Sequence, residues 1–111
     1  MRTIIIDNDE KSWRSIIGIA RSFDNDVEIL AQAGSVEDGL ELIKNYCPDL
    51  VLLDICLPDG SGFDLLRKLA KINFEIIFIS AYKQHVLKAY KFNAIDYILK
   101  CVQTLKLERF R

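Results

Sequence analysis

The sequence has no hydrophobic run near the roughly 20 residues that a membrane-spanning helix needs. Its N-terminus also lacks the cationic and then apolar layout of a secretory signal peptide. Neither sign of charge dominates, because 15 Lys and Arg stand against 16 Asp and Glu. This balance offers no general attraction to anionic membranes or to nucleic acid. These absences favour a cytoplasmic protein that enters no membrane and binds no nucleic acid directly through this domain.

Cysteine and histidine are both scarce. Cys47, Cys56 and Cys101 are odd in number and form no C-x-x-C pair, which argues against a disulfide framework or a zinc site. We therefore expect reduced, buried thiols. The only histidine, His85, is interpreted as a surface residue rather than a metal ligand or a catalytic group. Apolar residues, in contrast, make up 50% of the 111 residues, enough for the core of one domain.

Short apolar runs bounded by turn-forming residues alternate with stretches of helical periodicity. This alternation is typical of buried parallel strands joined by helices. The predicted strands cover residues 2–7, 27–32, 49–54, 75–80 and 95–99. The predicted helices cover residues 11–23, 35–47, 63–71, 84–92 and, as the start of a last helix, 104–110. We predict an α/β, doubly wound fold over residues 1–111, with helices on both faces of a five-stranded parallel sheet.

Polar residues follow the apolar runs at the predicted carboxyl ends of four strands. Asp7-Asn8-Asp9 follows the first run, and Asp54 ends the third. Ser80 ends the fourth, and Lys100 follows the fifth. In an open parallel sheet, ligands bind beyond the carboxyl ends of the strands. The carboxylates, the hydroxyl and the amine should therefore share one pocket, which suits a divalent cation and a phosphoryl group.

Four stretches of the chain resemble the receiver domain of two-component response regulators. In order, they are IIIDNDE, PDLVLLDICLPDGSGFDLLRKL, IIFISAY and AIDYILK. The resemblance covers essentially the whole chain and implies the flavodoxin-like (CheY-like) fold with strand order 2-1-3-4-5. The segment YKQHVLKAYKFNAIDYILK further resembles receivers that precede LytTR-type DNA-binding domains.

The resemblance implies a role for each residue of the pocket. Asp54 resembles the phosphoacceptor and Lys100 the active-site lysine of the family. Ser80 matches the hydroxyl switch and Tyr97 the aromatic switch. A Mg²⁺ ion would be held by Asp7, Asn8, Asp54 and the backbone carbonyl of Cys56.

The same resemblance implies the partners and the output. The phosphoryl group would come from a phosphohistidine on a sensor histidine kinase or a phosphotransfer protein. The domain would promote its own phosphorylation and slow dephosphorylation without being a conventional turnover enzyme. The switched surface would regulate transcription through a DNA-binding effector that these residues do not include, since the last predicted helix stops after about two turns. A homodimer through the fourth helix, fifth strand and fifth helix is also expected.

Three departures from the family pattern carry expectations of their own. Asn8 stands in place of a second acid, which should weaken Mg²⁺ binding. Cys101 replaces the proline that follows the lysine, and we expect a trans peptide bond there because a cis bond before a non-proline residue is costly. Tyr82 and Cys56 occupy positions that control the access of water to the acyl phosphate. A bulky ring and a weakly hydrogen-bonding thiol predict slow self-dephosphorylation.

Two other functions are compatible with the sequence. The first is a degenerate receiver that acts as a protein-interaction module without phosphorylation, because Asn8 and Cys101 weaken the site. The second is a phosphatase of the haloacid-dehalogenase type, whose nucleophile motif Asp7-x-Asp9 resembles. The phosphatase hypothesis explains Asp54, Ser80 and Lys100 less well.

Overall fold

A computed structural model describes residues 1–100 and 107–110 of the chain. Its strands are β1 (Arg2–Ile6), β2 (Glu28–Ala33), β3 (Leu50–Asp54), β4 (Cys56–Leu57), β5 (Gly60–Ser61), β6 (Glu75–Ser80), β7 (Asp96–Lys100) and β8 (Leu107–Phe110). Its helices are α1 (Glu10–Phe23), α2 (Val36–Tyr46), α3 (Gly62–Arg67) and α4 (Val86–Lys91), the last preceded by a 3₁₀ turn at Lys83–His85. None of these helices is long and apolar enough to span a membrane.

The main sheet has the order β2-β1-β3-β6-β7-β8. The first five of these strands are parallel, and they are the five that the sequence predicts, in the order 2-1-3-4-5. The prediction of a flavodoxin-like α/β fold is therefore confirmed. The order changes direction beside β1, and this is the switch point at which such sheets bind their ligands.

The central strands β3 and β6 are almost continuously apolar and buried because both faces of the sheet are covered. Alternate residues of each strand point to opposite faces, so that Ile4 and Ile6 belong to one buried cluster and Ile5 to another. Helices α2, α3 and α4 cover the first cluster, whereas α1 contributes Ile16 and Ala20 to the second. The prediction of helices on both faces is confirmed.

The helix starts follow from local capping. The Asp9 side chain accepts a hydrogen bond from Lys11 N, and the Ser35 side chain accepts one from Asp38 N. At α3, Ser61 and Asp64 form a capping box in which each side chain accepts a backbone N–H bond from the other. The predicted start of the second helix at residue 35 is confirmed, because Ser35 is its N-cap.

The predicted last helix is wrong over residues 107–110. These residues form strand β8, which pairs antiparallel with β7 from Tyr97↔Phe110 to Lys100↔Leu107. The pairing satisfies the backbone groups on the otherwise open edge of β7, whereas a helix of two turns is marginal by itself. The predicted start of this helix, at residues 104–106, lies outside the described residues, as does the peptide bond between Lys100 and Cys101.

Two further predictions need correction in the same half of the chain. Helix α3 ends at Arg67, earlier than predicted, because Lys68 N and Leu69 N bond to carbonyls three residues back and tighten the chain into turns. Residues 57–62 lie outside every predicted strand and helix, but they contribute to a short hairpin in which β4 pairs antiparallel with β5. In addition, Cys47 and Cys56 are free thiols but exposed, contrary to the expectation of buried thiols. Cys101 lies outside the described residues.

Candidate functional site

The register of the parallel strands brings the predicted polar residues to one edge of the sheet. Ile6 lies opposite Leu53, so Asp7 and Asp54 both occupy the next position along their chains. Asp54 in turn lies opposite Ile79, and Ser80 lies opposite Leu99. Lys100 follows Leu99 at the end of β7. The polar residues of β1, β3, β6 and β7 therefore lie side by side along the carboxyl edge of the sheet.

Two carboxylates and one ammonium group form the centre of the site. Lys100 Nζ lies 2.7 Å from Asp7 Oδ2 and 3.5 Å from Asp54 Oδ2. Asp54 Oδ1 accepts a hydrogen bond from Cys56 N at 3.2 Å, and Asp7 Oδ1 accepts one from Asp9 N at 2.9 Å. Both carboxylates are buried, with Asp7 fully so and Asp54 7% exposed. The site therefore holds a partly desolvated carboxylate beside a fixed cation.

Burial controls the protonation of this centre. Desolvation raises the pKa of Asp54 to about 7, with Asp7 adding to the rise and Lys100 opposing it. For Lys100, burial alone would lower the pKa, but its contacts with Asp7 and Asp54 raise it above the ordinary value. The lysine is therefore charged at neutral pH, whereas Asp54 titrates close to pH 7.

Ser80 and Tyr97 are connected through the main chain of Tyr82. Ser80 is fully buried, and its Oγ accepts a hydrogen bond from Tyr82 N at 3.0 Å. Tyr97 is a buried residue, 3% exposed, and its hydroxyl donates a hydrogen bond to the Tyr82 carbonyl. Burial raises the pKa of Tyr97, and a hydrogen bond with Ser80 partly opposes the rise. A displacement of the Ser80 hydroxyl would therefore also displace the Tyr82 main chain, to which the Tyr97 hydroxyl is bonded.

Asn8 and Cys56 lie at the rim. Asn8 is exposed, its side-chain oxygen faces Gly34, and it lines an open cleft of about 590 Å³ between α1 and α2. Cys56 is also exposed, and desolvation together with the nearby Asp54 carboxylate raises the pKa of its thiol. Asp9 faces α1, where its two carboxylate oxygens accept hydrogen bonds from Lys11 N and Ser12 Oγ. The carboxylate of Asp9 therefore acts as a helix cap.

The residues at this edge fit a small hard cation. Asp7 Oδ2 is buried and has no hydrogen bond of good geometry among the described residues, although Lys100 Nζ lies close to it. Carboxylate, amide and carbonyl oxygens are the ligands that Mg²⁺ prefers. The described residues contain no group of three or more acidic, histidine or cysteine side chains that could hold a metal. For a metal ion, this edge therefore offers the carboxylates of Asp7 and Asp54. Position 8 adds an amide in place of a third acid.

The main-chain role of Tyr82 is not predictable from the sequence. The comparison with the family pattern draws attention to the side chain of Tyr82, a residue that is 49% exposed. In the structure, it is the backbone N–H and C=O of Tyr82 that contact Ser80 and Tyr97. Such contacts leave no trace in residue identity, because every residue except proline carries the same two groups.

The fold and the site define a class of signalling domain. The profile of the response regulator receiver domain matches residues 3–109. The chain belongs to this family, and the predicted family is confirmed.

The relatives narrow the subfamily. The sensory transduction protein LytT of Bacillus cereus is 38% identical over 114 residues, which cover 96% of this chain and 46% of the relative. An "uncharacterized response regulatory protein" of Vibrio cholerae is 34% identical over 110 residues, or 98% of this chain and 46% of that protein. The chain therefore spans about half the length of these relatives. Relatives named LytT and LytR bear out the predicted resemblance to LytTR-type regulators.

Solved structures agree on the fold. The response regulatory domain of mrkE from Klebsiella pneumoniae superposes with a TM-score of 0.77 at 26% identity, covering 90% of this chain and 83% of that chain. A DNA-binding response regulator of the LuxR family from Staphylococcus aureus superposes with a TM-score of 0.74 at 27% identity, covering 89% of this chain and 85% of that chain. The chain therefore shares its architecture with these response regulator domains.

Proposed function

We propose that this domain accepts a phosphoryl group onto Asp54 from a phosphohistidine of a sensor histidine kinase or a phosphotransfer protein. One observation carries the proposal: the Asp54 carboxylate lies beside the charged Lys100 and the buried Asp7 at the carboxyl edge of the sheet. We place the protein in the cytoplasm, where such a donor would be available. No turnover of a further substrate is proposed.

The step is a displacement at phosphorus. An Asp54 carboxylate oxygen attacks the phosphorus atom, an O–P bond forms, and the N–P bond to imidazole breaks. The imidazole nitrogen takes the electron pair and is then protonated by solvent. Because the transition state is loose, catalysis depends on positioning and on charge rather than on covalent help. Lys100 contributes a point charge to a phosphoryl oxygen, and Cys56 N holds the second oxygen of Asp54 in place.

Asp7, Asn8, Asp54 and the Cys56 carbonyl would hold Mg²⁺. When bound, the ion would neutralise negative charge on the phosphoryl oxygens. Ser80 supplies the switch: a hydrogen bond from its hydroxyl to the phosphoryl group would draw the Tyr82 main chain with it. The hydrogen bond between Tyr97 and Tyr82 then transmits the change to the surface of α4 and β7.

Phosphorylation by a small P–N donor tests the proposal. Incubation with phosphoramidate and Mg²⁺ should give an acyl phosphate, detected by retarded migration on a phosphate-affinity gel and by its lability to hydroxylamine. Asp54→Asn should abolish it, whereas Asp26→Asn, which changes an exposed acid in the turn between α1 and β2, should retain it. Phosphorylation that persists in Asp54→Asn would contradict the assignment.

A second candidate is the degenerate receiver. The observation in its favour is that two carboxylates, among the residues the structure describes, contact Lys100, while the amide of Asn8 lies at the exposed rim. Beryllofluoride with Mg²⁺ distinguishes the candidates, because it binds the carboxylate of a competent receiver as a phosphoryl mimic. Chemical-shift changes around Ser80 and Tyr97 support the phosphoacceptor, whereas an unchanged spectrum supports the degenerate module.

The output surface is proposed to include α4 and β7. Leu87, Tyr90 and Ile95 are 78%, 55% and 47% exposed, an apolar set that suits a homodimer in the activated state. The fifth helix of the expected dimer is replaced by β8 over residues 107–110. Where the domain is joined to a DNA-binding region, as LytTR-type relatives imply, dimerisation would regulate transcription. Sedimentation with and without beryllofluoride tests the dimer, and Leu87→Asp should prevent it.

A further inference from the structure

The turn between β4 and β5 is attached to a helix that begins more than 20 residues earlier in the chain. Asp59, at the tip of this turn, accepts a hydrogen bond from Val36 N at 2.7 Å through Oδ1. Its other oxygen, Oδ2, accepts one from Glu37 N at 3.1 Å. These two bonds lower the pKa of Asp59. A carboxylate from another part of the chain therefore caps the start of α2.

This cap is additional to the local one. Helix α2 already has the Ser35 hydroxyl, which accepts a hydrogen bond from Asp38 N at 3.1 Å. A helix begins with four backbone N–H groups that lack partners within the helix, and Asp59 satisfies two that Ser35 does not. A negative charge at this end is also favoured by the helix dipole. The contact is consequently a specific attachment of the turn to α2.

The attachment reaches the phosphoacceptor through a stiff connection. Cys56 pairs with Ser61 and Leu57 with Gly60, which makes residues 56–61 a closed hairpin. Pro58 fixes the backbone of the turn, and Gly60 has a φ of 152°, a value that side-chain-bearing residues rarely adopt. The two residue pairs and the restricted turn couple the tip of this hairpin to its base.

The base of the hairpin contacts Asp54 directly. Cys56 N donates to Asp54 Oδ1, and Gly62 N donates to Ile55 O at 2.9 Å. The Gly62 main chain approaches so closely that a Cβ there would lie 2.5 Å from the Asp54 carbonyl oxygen. Any tilt of the hairpin therefore changes where Cys56 presents its N–H and its C=O.

We propose that Asp59 is a positioning residue, which holds the hairpin against α2 and thereby sets the position of the Cys56 backbone relative to Asp54. The part that concerns Mg²⁺ rests on the proposed function; the part that concerns the Cys56 amide does not. Because coupling between two sites is reciprocal, a ligand at Asp54 and Cys56 stabilises the start of α2 in return.

Paired alanine variants test the proposal. Asp59→Ala removes the attachment, whereas Ser35→Ala removes a cap from the same helix end without touching the hairpin. Asp59→Ala should still fold, because the Ser61–Asp64 capping box continues to hold the hairpin to α3. Amide hydrogen exchange at Cys56, followed by NMR without metal, should be about five-fold or more faster in Asp59→Ala and unchanged in Ser35→Ala. Equal exchange rates in the two variants would overturn the proposal.

Mg²⁺ binding provides the second readout. Trp13 reports on the site, because its Nε1 donates to the Asp7 carbonyl at 3.2 Å, and its fluorescence can follow a titration with Mg²⁺ alone. Asp59→Ala should weaken binding about three- to ten-fold relative to Ser35→Ala, and Asp59→Asn, which can accept only one of the two bonds, should be intermediate. If the wild-type protein binds no Mg²⁺, the proposed function fails, and the exchange experiment alone decides the role of Asp59. If the wild-type protein and all the variants bind Mg²⁺ with equal affinity, the positioning role of Asp59 is overturned instead.

Discussion

Lys100 Nζ lies closer to Asp7, at 2.7 Å from Oδ2, than to Asp54, at 3.5 Å. The lysine therefore neutralises the very carboxylate that a metal ion would need. A cation at Asp7 and the Lys100 ammonium would repel each other, so we expect bound metal to compete with Lys100 for the Asp7 carboxylate.

Removal of the Lys100 side chain should change Mg²⁺ affinity and the rate of phosphorylation in opposite directions. In Lys100→Ala we expect Mg²⁺ affinity to rise about three- to ten-fold, because a competing positive charge is lost. Phosphorylation by phosphoramidate should become about 100-fold slower, because the charge on the phosphoryl oxygen is lost as well. Lys44→Ala, which changes the net charge equally at the far end of α2, serves as the control. Weaker Mg²⁺ binding in Lys100→Ala would contradict the ion-pair argument.

Restoration of an acid at position 8 should strengthen the metal site. At an effective dielectric constant near 20, a full charge a few ångströms away contributes up to about 4 kcal/mol before desolvation and screening. We expect a net gain of about 1–2 kcal/mol in Asn8→Asp, or roughly five- to thirty-fold tighter Mg²⁺ binding. The fluorescence titration of Trp13 measures it, with Asn25→Asp in the distant α1–β2 turn as the control. Unchanged affinity would show that position 8 does not reach the ion.

The raised pKa of Asp54 means that its ionised form lowers the free energy of unfolding of the domain. Below about pH 4, both the folded and the unfolded protein hold the proton. Between about pH 4 and pH 7, the unfolded state releases it while the folded state keeps it, so stability falls as the pH rises, and above pH 7 the penalty is complete. Asp54→Asn should therefore raise the free energy of unfolding by about 1–3 kcal/mol at pH 8, and by much less at pH 4.5.

Urea denaturation with EDTA present measures this difference. Lys100 does not interfere, because its pKa is raised further above the range tested. The same variant at pH 4.5 is its own control. An equal gain at both pH values would mean that Asp54 titrates normally in the folded protein.

The acyl phosphate should be long-lived. The Tyr82 side chain and the Cys56 thiol both lie at the exposed rim, and neither positions a water molecule as a carboxylate or an amide would. We expect a phosphoprotein lifetime of many minutes, measured by the loss of gel retardation after the donor is removed. Tyr82→Ala should shorten it several-fold by admitting water, whereas Tyr90→Ala on α4 should not. A wild-type lifetime of seconds would refute the prediction.

Much of the fold can be predicted because its signals are local. The run Ile76–Ile79 and its neighbours are apolar at consecutive positions, which only strands covered on both faces require, and β6 has the predicted bounds. The packing of the aromatic residues depends on tertiary contacts: Phe92 stacks on Phe63 with ring centroids 5.4 Å apart, whereas Tyr90 is exposed. The half-buried ring of His85 lies 6.1 Å from the Phe63 ring, in line with a role in packing at the surface.

The sequence by itself determined the order of the five parallel strands and the four helices, and the set of polar residues at the carboxyl edge of the sheet. It could do so because strand periodicity, helix caps and turn formers act over a few residues. Only the tertiary structure decided that residues 107–110 pair as a strand with β7, that Lys100 lies nearer Asp7 than Asp54, and that Asp59 caps α2. These contacts join residues distant in sequence, and their free energies depend on where the packed core places each end.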